Sequence, residues 1–84
     1  MADGGAKVRM YGAMWCKDCR RSKALLDRRG TAYENIDLTE HPERAEEAQA
    51  ISGRPNIPVI VFDDGLVLVE PSDDELGAAL DARI

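Results

Sequence analysis

Polar and apolar residues alternate through Lys7-Val8-Arg9-Met10-Tyr11, and Gly12 closes the run. A period of two predicts a strand. The period then lengthens. Between Lys17 and Arg29, Cys19, Ser22, Leu25 and Leu26 share a stripe at helical spacing, while Lys17, Arg20, Arg21 and Arg28 point elsewhere. Gly30 predicts the stop, with Arg28 and Arg29 at the negative end of the dipole. Thr31 to Leu38 reads as a second strand with Ile36 and Leu38 on one face. Thr39-Glu40-His41-Pro42 turns into a second helix, whose modest stripe is Ala45, Ala48 and Ile51, and Ser52-Gly53 ends it. His41 reads as a residue of that helix start, and Tyr11 and Tyr33 as strand packing, with Tyr11 within possible reach of the cysteines from its strand end. Val59-Ile60-Val61-Phe62 is continuously apolar, as a strand covered on both faces would be. Asp63-Asp64-Gly65 signals a hairpin back through Leu66-Val67-Leu68-Val69. Ser72-Asp73-Asp74-Glu75 is a capping box, and Leu76, Ala79 and Leu80 carry a last helix to about Arg83.

The order is strand, helix, strand, helix, strand, strand, helix. It predicts an α/β fold with a four-stranded mixed sheet and helices on both faces. The 84 residues predict a single domain with residues 1–6 frayed. Aromatic content of 5% and a net charge of −5 argue against nucleic-acid binding. No apolar run is long enough to span a membrane. Met1-Ala2-Asp3-Gly4-Gly5 lacks the basic start and apolar core of a signal peptide. The expected location is the cytoplasm, where paired thiols persist reduced. The charge is lopsided. Residues 1–29 hold eight Lys/Arg against three acids, and residues 30–84 hold three Lys/Arg against thirteen acids.

Both cysteines lie in the positive part, in Trp15-Cys16-Lys17-Asp18-Cys19. A strand that delivers Cys-x-x-Cys to a helix start is the setting of a redox dithiol. Cys16 falls where unpaired backbone N–H groups favour its anion, with Lys17, Arg20 and Lys23 adding positive charge and Asp18 opposing them. Cys19 falls one turn later on the core-facing stripe. Cys16 is therefore expected to attack and Cys19 to resolve. A zinc site is the competing reading. It wants four ligands, and the only other soft donor is His41, far from the cysteines in sequence, so zinc would need a dimer. No metal is expected. The face of Lys17, Arg20, Arg21 and Lys23 reads either as a solvated surface or as a device that steers acidic partners.

Trp15-Cys16-x-x-Cys19 after a strand, Ile57-Pro58 before a strand and Ser72-Asp73 opening the last helix together resemble glutaredoxins, from about Lys7 to Leu80. Glu70-Pro71-Ser72-Asp73-Asp74-Glu75 is most similar to the mycoredoxin-like branch. The resemblance implies a thioredoxin-like fold with strand order second, first, third, fourth. It implies a thiol–disulfide oxidoreductase with a redox-active Cys16–Cys19 disulfide and no bound cofactor. A cis Pro58 would set the Ile57 backbone beside substrate, and Trp15 would form a wall. Lys17 would favour the thiolate. The N–H groups of Ser72 and Asp73 would hold the carboxylate of a small thiol, or would simply cap the helix. Expected substrates are protein disulfides and mixed disulfides with a mycothiol- or glutathione-type small thiol. Electrons would come from that thiol or from a flavoprotein reductase, and a monomer is expected. Two other roles fit the same residues: an electron donor to ribonucleotide reductase recharged by thioredoxin reductase, and a redox-sensing interaction module. Glu70-Pro71 stands where the family commonly has paired glycines, and Lys17-Asp18 where it often has a Tyr.

Overall fold

The computed structural model describes residues 7–83, so the segment 1–6, expected to fray, lies outside the described residues. Seven principal elements follow the predicted order: β1 Val8–Gly12, α1 Lys17–Arg28, β2 Glu34–Asp37, α2 Ala45–Ser52, β3 Val59–Phe62, β4 Val67–Val69 and α3 Asp73–Asp81. The sheet order is β2-β1-β3-β4, with β1 and β2 parallel and the other two pairings antiparallel.

Side-chain alternation on the central strands builds two cores. Val8, Met10, Ile60 and Phe62 face Leu25 and Leu26 of α1 and Leu76 and Leu80 of α3. Tyr11, Val59 and Val61 face Ala48 of α2, with Ile36 of β2 beside them. The sheet is thus clad on both faces, and all four residues of β3 are buried, as its unbroken apolar run predicts. The apolar stripe of α1 is buried at Cys19, Ser22, Leu25 and Leu26. Gly30, at φ 68°, follows the helix, and the Thr31 N–H reaches back to the Leu26 carbonyl at 3.0 Å. This is the left-handed glycine stop that satisfies a terminal carbonyl.

Three expectations need correction. The second strand starts at Glu34, not Thr31. Thr31 serves the end of α1, and the Tyr33 hydroxyl donates to Asp27 at 2.7 Å, so this stretch closes the helix before pairing begins. Pro42–Arg44 is a 3₁₀ turn, and α2 starts only at Ala45. The tighter turn moves the helical phase, which leaves Ala45 exposed and makes Ala48 the buried residue of the helix. Finally, α3 ends at Asp81 rather than Arg83.

Candidate active site

β1 ends at Gly12, and the loop Ala13-Met14-Trp15 brings the chain to Cys16. The Cys16 N–H donates to the Ala13 carbonyl at 3.1 Å, which turns the backbone into α1. Cys16 is the N-cap of that helix. Its Sγ accepts the backbone N–H of Cys19 at 3.3 Å and lies 3.9 Å from the Ile57 carbonyl, within reach of an S–H donor. A cap position normally belongs to Ser, Thr, Asp or Asn, whose oxygen takes an orphan N–H. Here sulfur fills that role, and a thiolate would fill it better, because a charged acceptor strengthens the bond.

The two thiols differ in surroundings. Cys16 is half-buried at the surface, whereas Cys19 is fully buried. Both are free. Burial, then the hydrogen bond with Cys16, pushes the Cys19 thiol up to about 12, while a backbone hydrogen bond with Ala13 works the other way. Cys19 is packed so closely on β1 that a Cβ at Gly12 would lie 2.9 Å from its Sγ. Glycine leaves room for the thiol in this position.

The Ile57–Pro58 peptide is cis and opens β3 beside the dithiol. The Pro58 carbonyl accepts the N–H of Glu70, which follows β4. Glu70 sits at φ 50°, a left-handed conformation that costs a non-glycine residue free energy. Its carboxylate accepts from the Asn56 side chain at 3.0 Å. The cis-proline loop and the Glu70 turn are therefore joined by both backbone and side chain.

Trp15 is 73% exposed and stands at the mouth of the site, followed by exposed Lys17 at the first turn of α1. Ser72 and Asp73 lie at the start of α3, where the helix-cap alternative is met at Ser72. The Ser72 N–H is not free: it donates to the Glu75 carboxylate at 2.8 Å, while the Glu75 N–H donates to the Ser72 hydroxyl at 3.1 Å. The capping box is complete and uses the group that a carboxylate ligand would take. The N–H of Asp73 has no hydrogen-bond acceptor among the described residues.

Arg21 is the functional candidate that sequence reasoning did not separate from the basic helix face. It donates to Asp18 and to the Pro71 carbonyl, each at 3.1 Å, and lies 3.7 Å from the Asp73 carboxylate. It thereby ties the cysteine-bearing helix to the start of α3. Its local partner Asp18 marks only an ordinary helix-surface pair, and the contacts that single it out, Pro71 and Asp73, stand about fifty residues away. Tyr11 does not reach the site. It faces α2 on the other side of the sheet, where its hydroxyl donates to Glu47. His41 pairs with Glu43 at the start of the 3₁₀ turn. Among the described residues no group of three or more His, Cys, Asp or Glu converges on a metal position.

Comparison with known proteins adds to this geometry. The glutaredoxin family model matches residues 8–67. A protein of Mycobacterium tuberculosis that bears the name "putative glutaredoxin" is 33% identical over 76 residues, which cover 89% of this chain and 90% of that protein. This likeness is consistent with the mycoredoxin-like branch. Glutaredoxin 3 of Escherichia coli is 33% identical over 58 residues, covering 69% of this chain and 70% of its own. Among solved structures, a glutaredoxin of Archaeoglobus fulgidus superposes with a TM-score of 0.79 at 29% identity, covering 92% of this chain and 88% of its own. The glutaredoxin-like NrdH-redoxin of Escherichia coli gives 0.72 at 27%, covering 84% and 91%. The family match spans the dithiol, the cis-proline strand and most of the sheet, and on that ground this chain belongs to the glutaredoxin family, whose members are thiol–disulfide oxidoreductases.

Proposed function

We propose that this protein reduces protein disulfides and protein–small-thiol mixed disulfides through Cys16, with Cys19 as the resolving thiol. The observation that carries the reading is the asymmetry of the pair: a surface sulfur capped by the N–H of Cys19, and a buried partner one helical turn away. The Cys16 thiolate attacks one sulfur of the substrate disulfide. A Cys16–substrate disulfide forms, and the other substrate sulfur leaves as a thiolate that takes up a proton. Cys19 then loses its proton and attacks the Cys16 sulfur. The Cys16–Cys19 disulfide forms, the second substrate thiol leaves, and two electrons have passed to the substrate. Burial keeps Cys19 protonated until that step, so the exposed sulfur attacks first.

Around the pair, Trp15 walls the substrate, Lys17 favours the attacking anion, and Ile57 with Pro58 offers backbone groups to an extended substrate chain. The Asp73 N–H, which the Ser72–Glu75 capping box leaves without an acceptor, would meet the small thiol at the start of α3. This chemistry needs a reducing compartment and suits the cytoplasm. Two molecules of a small thiol would return the two electrons to the Cys16–Cys19 disulfide, the first forming a mixed disulfide with Cys16 and the second releasing it as the small-thiol disulfide.

A second reading is favoured by the occupied Ser72 N–H and by Glu70 beside Asn56, which leave little provision for a carboxylate-bearing thiol. In that reading the protein donates electrons to ribonucleotide reductase and is recharged by thioredoxin reductase. The Escherichia coli NrdH-redoxin, a glutaredoxin-like protein with a thioredoxin-like activity profile, supports this source of electrons. The test incubates the oxidised protein either with NADPH and thioredoxin reductase or with a small thiol and its reductase. Rapid reduction by only one system assigns the electron source. Full exchange activity in Cys16→Ser would refute both readings.

A further inference from the structure

Two large apolar side chains stand open to solvent among the described residues, Met14 at 42% and Trp15 at 73% exposure. Both belong to the loop that carries Cys16. The two are neighbours in sequence and place exposed apolar side chains beside the thiol. Two cations flank it. The Arg20 guanidinium donates to the Met14 carbonyl at 2.7 Å, which holds it against the loop. Lys17 lies one helical turn before Arg20, on the same side of α1. Neither forms an ion pair among the described residues, whereas their helix neighbours Arg21 and Lys23 are paired with Asp18 and Asp27. In a protein of net charge −5, Lys17 and Arg20 thus leave positive charge beside the nucleophile and beside exposed tryptophan.

The geometry points to a docking rim for an acidic segment of a partner protein. Resting on the exchange reading above, the occupant is the stretch that flanks the reactive cysteine of a disulfide substrate and carries Asp or Glu next to a large apolar side chain. Charge complementarity selects it. A carboxylate on the α1 side meets Lys17 and Arg20, and an apolar side chain covers Met14 and Trp15. The opposing charges nearest α1 are Asp18 and Asp73, both set against Arg21, with Asp74 and Glu75 beside Asp73 in the first turn of α3. Glu70 follows β4 and is held on the cis-proline side of the dithiol, its N–H on the Pro58 carbonyl and its carboxylate on Asn56. The acidic residues of the substrate therefore belong on the α1 side and not on the β4 side. Such a rim raises encounter rate and fixes orientation more than it deepens binding.

The test uses three disulfide substrates with the reduced protein. One is a mixed disulfide of a peptide with a tryptophan and glutamates beside its cysteine. The second is the same peptide with lysines for the glutamates. The third is an uncharged low-mass disulfide. The readout is kcat/KM for each at about 30 mM and about 0.5 M salt, bracketing weak and strong screening. At low salt the acidic peptide should exceed the basic one roughly tenfold. The ratio should fall toward unity at high salt and should be lost or inverted in the double variant Lys17→Glu, Arg20→Glu. Because the ratio compares two peptides on one protein, any effect of those substitutions on the Cys16 thiolate cancels. Equal rates for the two wild-type peptides at low salt, or a preference untouched by the double reversal, would overturn the docking rim. If the low-mass disulfide is turned over in that case, the exchange reading stands. If none of the three substrates reacts, the exchange reading falls and the rim falls with it.

Discussion

Replacing Ser22 with alanine should make this protein more stable, although Ser22 lies in the core. Ser22 is 1% exposed on the inner stripe of α1, and its hydroxyl finds no hydrogen-bond partner among the described residues. A buried hydroxyl without a partner carries a desolvation cost of about 1–3 kcal/mol. Alanine removes that cost and adds about 0.5 kcal/mol of helix propensity. Against this stands the loss of the oxygen's dispersion contacts, about 0.1–0.2 kcal/mol each. The net gain is about 1–2 kcal/mol, which for a domain of this size raises Tm by roughly 4–16 °C. Thermal melts and urea unfolding of Ser22→Ala against the parent measure it directly. A variant that is less stable by more than about 0.5 kcal/mol would refute the reasoning, because the hydroxyl would then be bonded, for instance to a carbonyl one turn back.

Three further outcomes are expected. The Cys19 thiol is held well above its ordinary value by burial, so its contribution to stability is present below pH 9.0 and is lost as pH rises toward about 12. Cys19→Ala should therefore flatten the alkaline decline by up to about 1.4 kcal/mol per pH unit, and an unchanged slope counts against it. Arg44, then Tyr11, holds the Glu47 carboxyl down at about 2, from 4.5 for a free glutamate. That stabilisation is present above pH 4.5 and is lost as pH falls toward 2, so Glu47→Gln should weaken the acid dependence in this window; identical acid titrations of unfolding would contradict the assignment. Glu70→Gly relieves a left-handed backbone by about 1–2 kcal/mol and loses one exposed hydrogen bond to Asn56. A higher unfolding midpoint is expected, and a lower one would mean that the Asn56 link outweighs the backbone strain.

What the sequence made legible was local or periodic. The α1 stripe from Cys19 to Leu26, the apolar run Val59–Phe62 and the Ser72–Glu75 box are set by neighbours within a few residues, and each occurs as its pattern predicts. Errors arose where a local pattern had two outcomes. Thr31 to Tyr33 suit a strand, yet they close α1, because the Leu26 carbonyl accepts from Thr31. Ala45 suits a buried stripe, yet the turn at Pro42–Arg44 rotates it into solvent. Long-range contacts were invisible. Arg21 reads as one more solvated cation until the Pro71 carbonyl is seen beside it. Glu70 reads as a loop residue until its N–H is found on Pro58. The cysteine pair was legible because spacing and helix phase alone put one thiol at the surface and one in the core.

The hydrogen bond from the Cys19 backbone to Cys16 Sγ links the two halves of the dithiol in a way that limits how they can be engineered. In the exchange proposed above, the resolving Cys19 supplies the donor that rests on the Cys16 sulfur, and it does so through its main chain, whatever side chain it bears. Replacing the thiol at position 19 therefore disables resolution but leaves the donor in place. Lengthening or shortening the Lys17-Asp18 insert would disturb both functions at once, since it moves the donor and the second sulfur together. The interval of two residues acts as a single setting for both thiols, and altered versions of this site are best sought by changing the identity of the two inserted residues and keeping their number.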